Sequence, residues 1–155
     1  DLYLSRIDES DKAFGELVQY FEKVPEKTII CMFGDHQPMF EEEGFYEQIY
    51  AQTDGLSETD KIFNQYKTPF IIWANYDIPE QDGIDISANY LGALLLETAG
   101  IPGNSFFNFL TKQMKAYPVI TVNGYKDNKG NAFQWSGEGT EFLDYRILQY
   151  YELFD

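Results

Sequence analysis

The chain has 155 residues, 44% hydrophobic, 24% charged and 17% aromatic, the composition of a folded domain and not of a disordered tail. Cys31 is the single cysteine, which excludes an intrachain disulfide scaffold. With 11 basic and 26 acidic residues the formal charge is -15, which repels a phosphate backbone, argues against nucleic acid as a partner, and equally opposes adhesion to an anionic membrane surface.

From Leu2 to Phe21 the apolar residues Ile7, Phe14, Leu17, Val18 and Phe21 share one stripe, and Arg6, Asp8, Glu9, Lys12, Glu16 and Glu22 supply a solvated side. This spacing predicts an amphipathic helix stopped by Pro25. Thr28–Phe33 is a continuous apolar, partly β-branched run, the pattern of a strand buried on both faces, and Gly34 ends it. The polar stretch from Glu41 to Asn64 predicts short helices near Phe45–Tyr50 and Glu58–Gln65, with a turn at Asp54-Gly55. Pro69–Ala74 predicts a second buried strand, and Asn75 to Asp85 its exit loop. Ser87 can cap a helix over Ala88–Ala99, with Tyr90, Leu91, Leu94, Leu95 and Thr98 inward and Gly100 and Pro102 closing it. Asn104 or Ser105 caps the next helix, which carries Phe106, Phe109, Leu110 and Met114 and stops before Pro118. Val119–Val122 adds a third strand, Tyr125–Trp135 reads as a β-hairpin turning at Asp127-Asn128-Lys129-Gly130, and Thr140–Phe154 is helical in pattern.

Helix, strand, helix, strand, helix is the order of an α/β layer with a mainly parallel sheet flanked by helices, here followed by a C-terminal β-hairpin and helix. No repeat or linker divides the chain, so residues 1–155 are expected to form a single unit. The longest apolar stretches, Ile29–Phe33 and Leu91–Leu96, are far shorter than the roughly 20 residues of a membrane-spanning helix. The N-terminus has no basic start followed by an apolar middle and no Met, so the chain is expected to be cut from something longer.

The most informative stretch is Phe33-Gly34-Asp35-His36-Gln37-Pro38, which sets a carboxylate beside the only histidine, just past the end of a buried strand. Sites in open α/β sheets collect at that edge. One hard oxygen and one imidazole nitrogen suit Mn, Zn or Mg, with Gly34 easing the turn, although such a pair in a strand-exit loop is more often a turn aspartate beside a solvated histidine.

The segment Ile29–Pro38, with the upstream helix Tyr3–Leu17, resembles the C-terminal half of a sulfatase-type catalytic domain of the alkaline phosphatase superfamily. Its Gly-Asp-His-Gln-Pro form is most similar to the lipoteichoic acid synthase branch, the membrane-anchored phosphoglycerol transferases. Thr68–Ala74 resembles the family's next core strand, Ser87–Gly92 through Ala99–Pro102 its following helix, and Asp144-Tyr145-Arg146 through Asp155 its closing segment. The resemblance implies an alkaline-phosphatase-like α/β fold in which Asp35 and His36 are two ligands of a divalent metal, most often Mn2+, with Mg2+, Ca2+ or Zn2+ as alternatives. It further implies that the nucleophile lies upstream of Asp1 and that the missing N-terminal half of the same catalytic domain is the chain's first partner. The implied substrate is a glycerophospholipid or another phosphate or sulfate ester. The implied location is the extracellular face of the cell membrane, with transmembrane anchors elsewhere in the parent. No Cys-x-Pro-x-Arg sequence of the true sulfatases is present, and Cys31 lies inside a strand.

Other residues read more simply. Glu41, Glu42 and Glu43 are a solvated charge run, and Ser10 and Asp11 are helix-face residues with no further histidine to serve them as base. Tyr46, Tyr50, Tyr66, Tyr76 and Trp73 suit packing better than sugar stacking, and Lys67 stays outside the site. On these expectations the chain alone shows no turnover, substrate-facing residues are unknown, and an exposed apolar face leads to self-association. The competing reading is a non-catalytic extracellular module that binds glycan or a partner chain through its aromatic residues.

Overall fold

The structure is a computed structural model and describes residues 2–38, 55–137 and 142–154. The expected helix near Phe45–Tyr50, the glutamate run and most of the Asp54-Gly55 turn lie outside the described residues. Two compact units are formed, one from residues 1–35 with 68–80, the other from 36–67 with 81–155.

In the first unit, helix α1 (Leu2–Phe21) matches the predicted helix, and strands β1 (Ile29–Phe33) and β2 (Phe70–Ala74) match the two apolar runs. The strands are antiparallel, Ile29 opposite Ala74 and Phe33 opposite Phe70, which corrects the expectation of a mainly parallel sheet. An apolar run of five residues reads alike whichever way its neighbour runs. Direction is decided by the path of the intervening chain, here bringing the start of β2 beside the end of β1. Neither strand is buried on both faces: Phe33 is 58% and Ile71 50% exposed. The stripe on α1 is only partly covered: Phe14, Val18 and Phe21 are half-buried, Ile7 and Leu17 are each 47% exposed, and no residue is fully buried.

Asn75, the residue after β2, ties this unit together. Its Nδ2 donates to the carbonyl oxygens of Phe21 (3.0 Å), Val24 (3.0 Å) and Glu26 (2.9 Å), and its Oδ1 accepts from the Thr28 amide at 2.8 Å. Its own amide donates to the Thr28 carbonyl at 3.1 Å. One side chain thus gathers the carbonyl of the last helical residue and two from the turn that follows α1, and the entry to β1 is fixed by the same group.

The second unit holds helix α2 (Glu58–Gln65), a 3-10 turn (Ala88–Tyr90), helices α3 (Leu91–Ala99) and α4 (Ser105–Ala116), strands β3 (Val119–Thr121), β4 (Gly124–Lys126) and β5 (Ala132–Phe133), and helix α5 (Leu143–Phe154). Its core is Phe63, Tyr90, Ala93, Leu94, Leu110, Met114 and Val119, contributed by α2, the 3-10 turn, α3, α4 and β3. Gly100 closes α3 in the left-handed region (φ 68°), as Gly and Pro in sequence predict. Asn104, not Ser105, caps α4, its Oδ1 accepting from the Phe107 amide at 2.9 Å. Ser87 caps no helix with its side chain: its Oγ accepts from the Ile120 amide at 2.9 Å, anchoring β3 instead.

Strands β3, β4 and β5 form an antiparallel meander, so Val119–Thr121 joins the hairpin and not the β1–β2 pair. The Asp127 carboxylate builds the predicted hairpin turn, accepting from the Lys129 and Asn131 amides at 2.9 Å each. The Asn131 side-chain amide, which donates to it at 2.9 Å, and then the two backbone amides hold its carboxyl below the usual range. One face of the meander turns Val119 and Lys126 toward α2, where Lys126 Nζ meets Asp60 at 2.9 Å and lies 5.0 Å over the Phe63 ring. The Ser57 hydroxyl and then Lys126 hold the Asp60 carboxyl low. The other face carries Ile120, Tyr125 and Phe133.

Candidate metal site

The Gly-Asp-His-Gln-Pro motif leaves β1 at Phe33. Gly34 donates its amide to the Pro69 carbonyl at 3.0 Å, extending the pairing with the approach to β2. Its conformation is not left-handed. A Cβ there would lie 3.1 Å from Thr68 Cβ, so glycine is favoured by close approach and not by the turn itself.

Asp35 and His36 follow, both exposed. His36 Nδ1 lies 2.9 Å from the Gln37 carbonyl oxygen. A carbonyl only accepts, so in the neutral ring Nδ1 carries the proton and Nε2 carries the lone pair. In metal sites a bond of this kind fixes the tautomer of a ligating histidine. Gln37 is itself anchored, its Nε2 donating to the Lys67 carbonyl. Lys67 Nζ pairs with Asp85 at 2.8 Å.

The donor set fits a divalent cation in kind, with a carboxylate oxygen and an imidazole nitrogen on consecutive residues. Among the described residues no three His, Cys, Asp or Glu side chains converge to complete a coordination sphere. Two ligands are what Asp35 and His36 can supply. Cys31 lies within β1, and burial pushes its thiol up, away from the thiolate a nucleophile needs.

Tyr66 is 65% exposed, while Tyr76 lies 5.2 Å beneath the Lys27 ammonium. Tyr46 and Tyr50 lie outside the described residues. The structure gathers a different aromatic group, Tyr117, Tyr125, Phe133, Trp135 and Phe142, none of which the sequence marks as a set. The spacing of Phe133 and Trp135 after the hairpin turn was the available signal. Among the described residues no helix is long and apolar enough to cross a membrane.

The sulfatase family profile matches residues 1–101, about two-thirds of the chain, and the chain belongs to that family. Proteins of the family act on sulfate or phosphate esters by hydrolysis or transfer, have an alkaline-phosphatase-like α/β fold and are generally dependent on divalent metal. A Rhizobium meliloti (strain 1021) protein named for cyclic beta-1,2-glucan modification is 26% identical over 160 aligned positions, covering 98% of this chain and 25% of the relative. The chain therefore spans about a quarter of the length of that curated relative. No solved structure matches.

Proposed function

We propose that this chain is the part of a sulfatase-family transferase that supplies two metal ligands, and that the whole enzyme adds a phosphoglycerol-type group to a cell-envelope polymer outside the cell. Asp35 Oδ and His36 Nε2 hold the cation, which the resemblance makes manganese before magnesium, calcium or zinc. The observation that carries this reading is the Asp35-His36 pair at the exit of β1, with the His36 Nδ1 bond to the Gln37 carbonyl making Nε2 the nitrogen that carries the lone pair. When bound, such a cation offsets charge on the transferring group and lowers the nucleophile's pKa. The chain's own residues act as holders: Asp35 and His36 orient donors, Gln37 fixes the loop, and Gly34 brings the loop against Thr68.

In this reading the nucleophile and the remaining ligands come from a preceding half of the same catalytic domain. The exposed Ile7 and Leu17 of α1 and the half-exposed Phe33 and Ile71 support it, because apolar surface left open in this way is where another element packs. The phosphoryl donor is a glycerophospholipid and the acceptor a hydroxyl of the polymer. The relative's name favours a glucan as acceptor over a teichoic acid backbone.

The test incubates the full-length protein with phosphatidylglycerol, with and without a soluble glucan. Release of diacylglycerol that stops with chelator, returns with manganese and falls below detection in Asp35→Ala and His36→Ala is the expected result. Turnover indifferent to chelator and to both substitutions would contradict it.

A further inference from the structure

An antiparallel sheet with one face on the core normally turns polar residues outward on the other. The β3–β4–β5 meander does not. Opposite the face that meets α2 it presents Ile120, Tyr125 and Phe133, and Tyr117, Trp135 and Phe142 close around Tyr125. Tyr125 lies 5.1 Å from Phe133 and stacks on it, 5.4 Å from Trp135 and 5.0 Å from Phe142. Tyr117 adds an edge contact to Phe142 at 5.0 Å. The Trp135 indole N–H donates to the Thr121 carbonyl at 3.0 Å, which fixes that ring's orientation. Phe142 sits at φ 54°, a conformation that a bulky residue avoids and that here accompanies its ring contacts. The rings still face water: Tyr117 is 38%, Phe133 40% and Trp135 37% exposed.

We propose that this aromatic face binds a short stretch of neutral glucan, the acceptor polymer. The inference goes beyond the metal site and rests on the proposed function only for the choice of polymer. Size argues against a protein occupant: three rings that bury 150–250 Å² each when fully covered leave on the order of 250 Å² here, against ~800 Å² per partner in a stable protein interface. An area of that order suits two or three sugar rings. Charge argues in the same direction. A chain of net charge -15 repels an anionic polymer, and an uncharged glucan escapes that penalty. A pyranose presents its C–H bonds to the electron-rich face of an aromatic ring, while its hydroxyls stay with water or the sheet's edge.

The test is calorimetric titration of the full-length protein with neutral cyclic β-1,2-glucan in chelator, so that the metal site plays no part. Saturable binding is expected, weakened about tenfold by Trp135→Ala, since one well-placed aromatic contact is worth about that factor. Because Trp135→Ala also removes the bond to Thr121, Phe133→Leu and Tyr117→Leu are measured beside it, each with circular dichroism to show the fold retained. Both are expected to weaken binding while leaving manganese affinity unchanged. No binding at millimolar glucan, unchanged affinity in the folded variants, or concentration-dependent dimerisation that buries Trp135 would each overturn the proposal. None of these results touches the metal reading, which a manganese titration of the same samples decides.

Discussion

Replacing Asn75 with alanine is expected to cost about 2–4 kcal/mol of stability, several times the effect of an ordinary surface change. One side chain donates to the carbonyls of Phe21, Val24 and Glu26 and accepts from the Thr28 amide, so its removal strips four backbone groups at once. Some of those groups reach water, which keeps the cost from being the sum of four buried losses. Asn75→Asp separates donor from acceptor roles. It keeps an oxygen for Thr28 but sets a negative charge against three carbonyls, and it is expected to be at least as damaging as alanine. Urea unfolding followed by Trp73 fluorescence checks both, since Trp73 lies on β2 two residues away. A loss below about 0.5 kcal/mol in Asn75→Ala would mean that these bonds exchange for water without penalty.

Gly124→Ala is expected to disrupt the meander, costing about 3 kcal/mol or more from backbone strain and overlap together. Its φ of 142° is one that side chains rarely adopt. An added methyl would overlap the Phe133 carbonyl oxygen and lie 3.3 Å from Gln134 Cα, both backbone atoms that cannot swing aside. Gly130 is the control: it too has positive φ, 82°, but nothing lies within 4 Å of its missing Cβ. Gly130→Ala should therefore cost only the conformational penalty of about 1 kcal/mol. Near-ultraviolet circular dichroism reports the outcome, because Tyr125, Phe133 and Trp135 lie on or beside β4 and β5. Equal stability of the two variants would show that the close approach at Gly124 relaxes freely.

The helices were legible because their stop signals act locally: Asn104 caps α4, Gly100 closes α3, and Asp127 to Gly130 makes its turn with bonds inside five residues. Strand direction was not legible, since pairing depends on where a chain of more than thirty residues returns, and β1 and β2 carry no local mark of it. Ser87 looked like a cap because serine before a helix usually is one, yet its hydroxyl serves an amide 33 residues away. At the candidate site, Asp35 and His36 were visible as neighbours in sequence. The part of Gln37 was not, because its amide meets a carbonyl 30 residues on. The aromatic face is not legible for the same reason: Tyr117, Tyr125, Trp135 and Phe142 meet only after three strands have paired.

The most direct test of the central claim, that Asp35 and His36 are ligands of a divalent cation, is calorimetric titration of manganese into the full-length protein and three variants. Asp35→Ala and His36→Ala should each weaken binding by at least tenfold, and Gln37→Ala by less, since it removes the side-chain anchor to the Lys67 carbonyl but keeps the backbone carbonyl that bonds His36. Affinity unchanged in Asp35→Ala and His36→Ala, in folded protein, would show that the residues after β1 form only a turn.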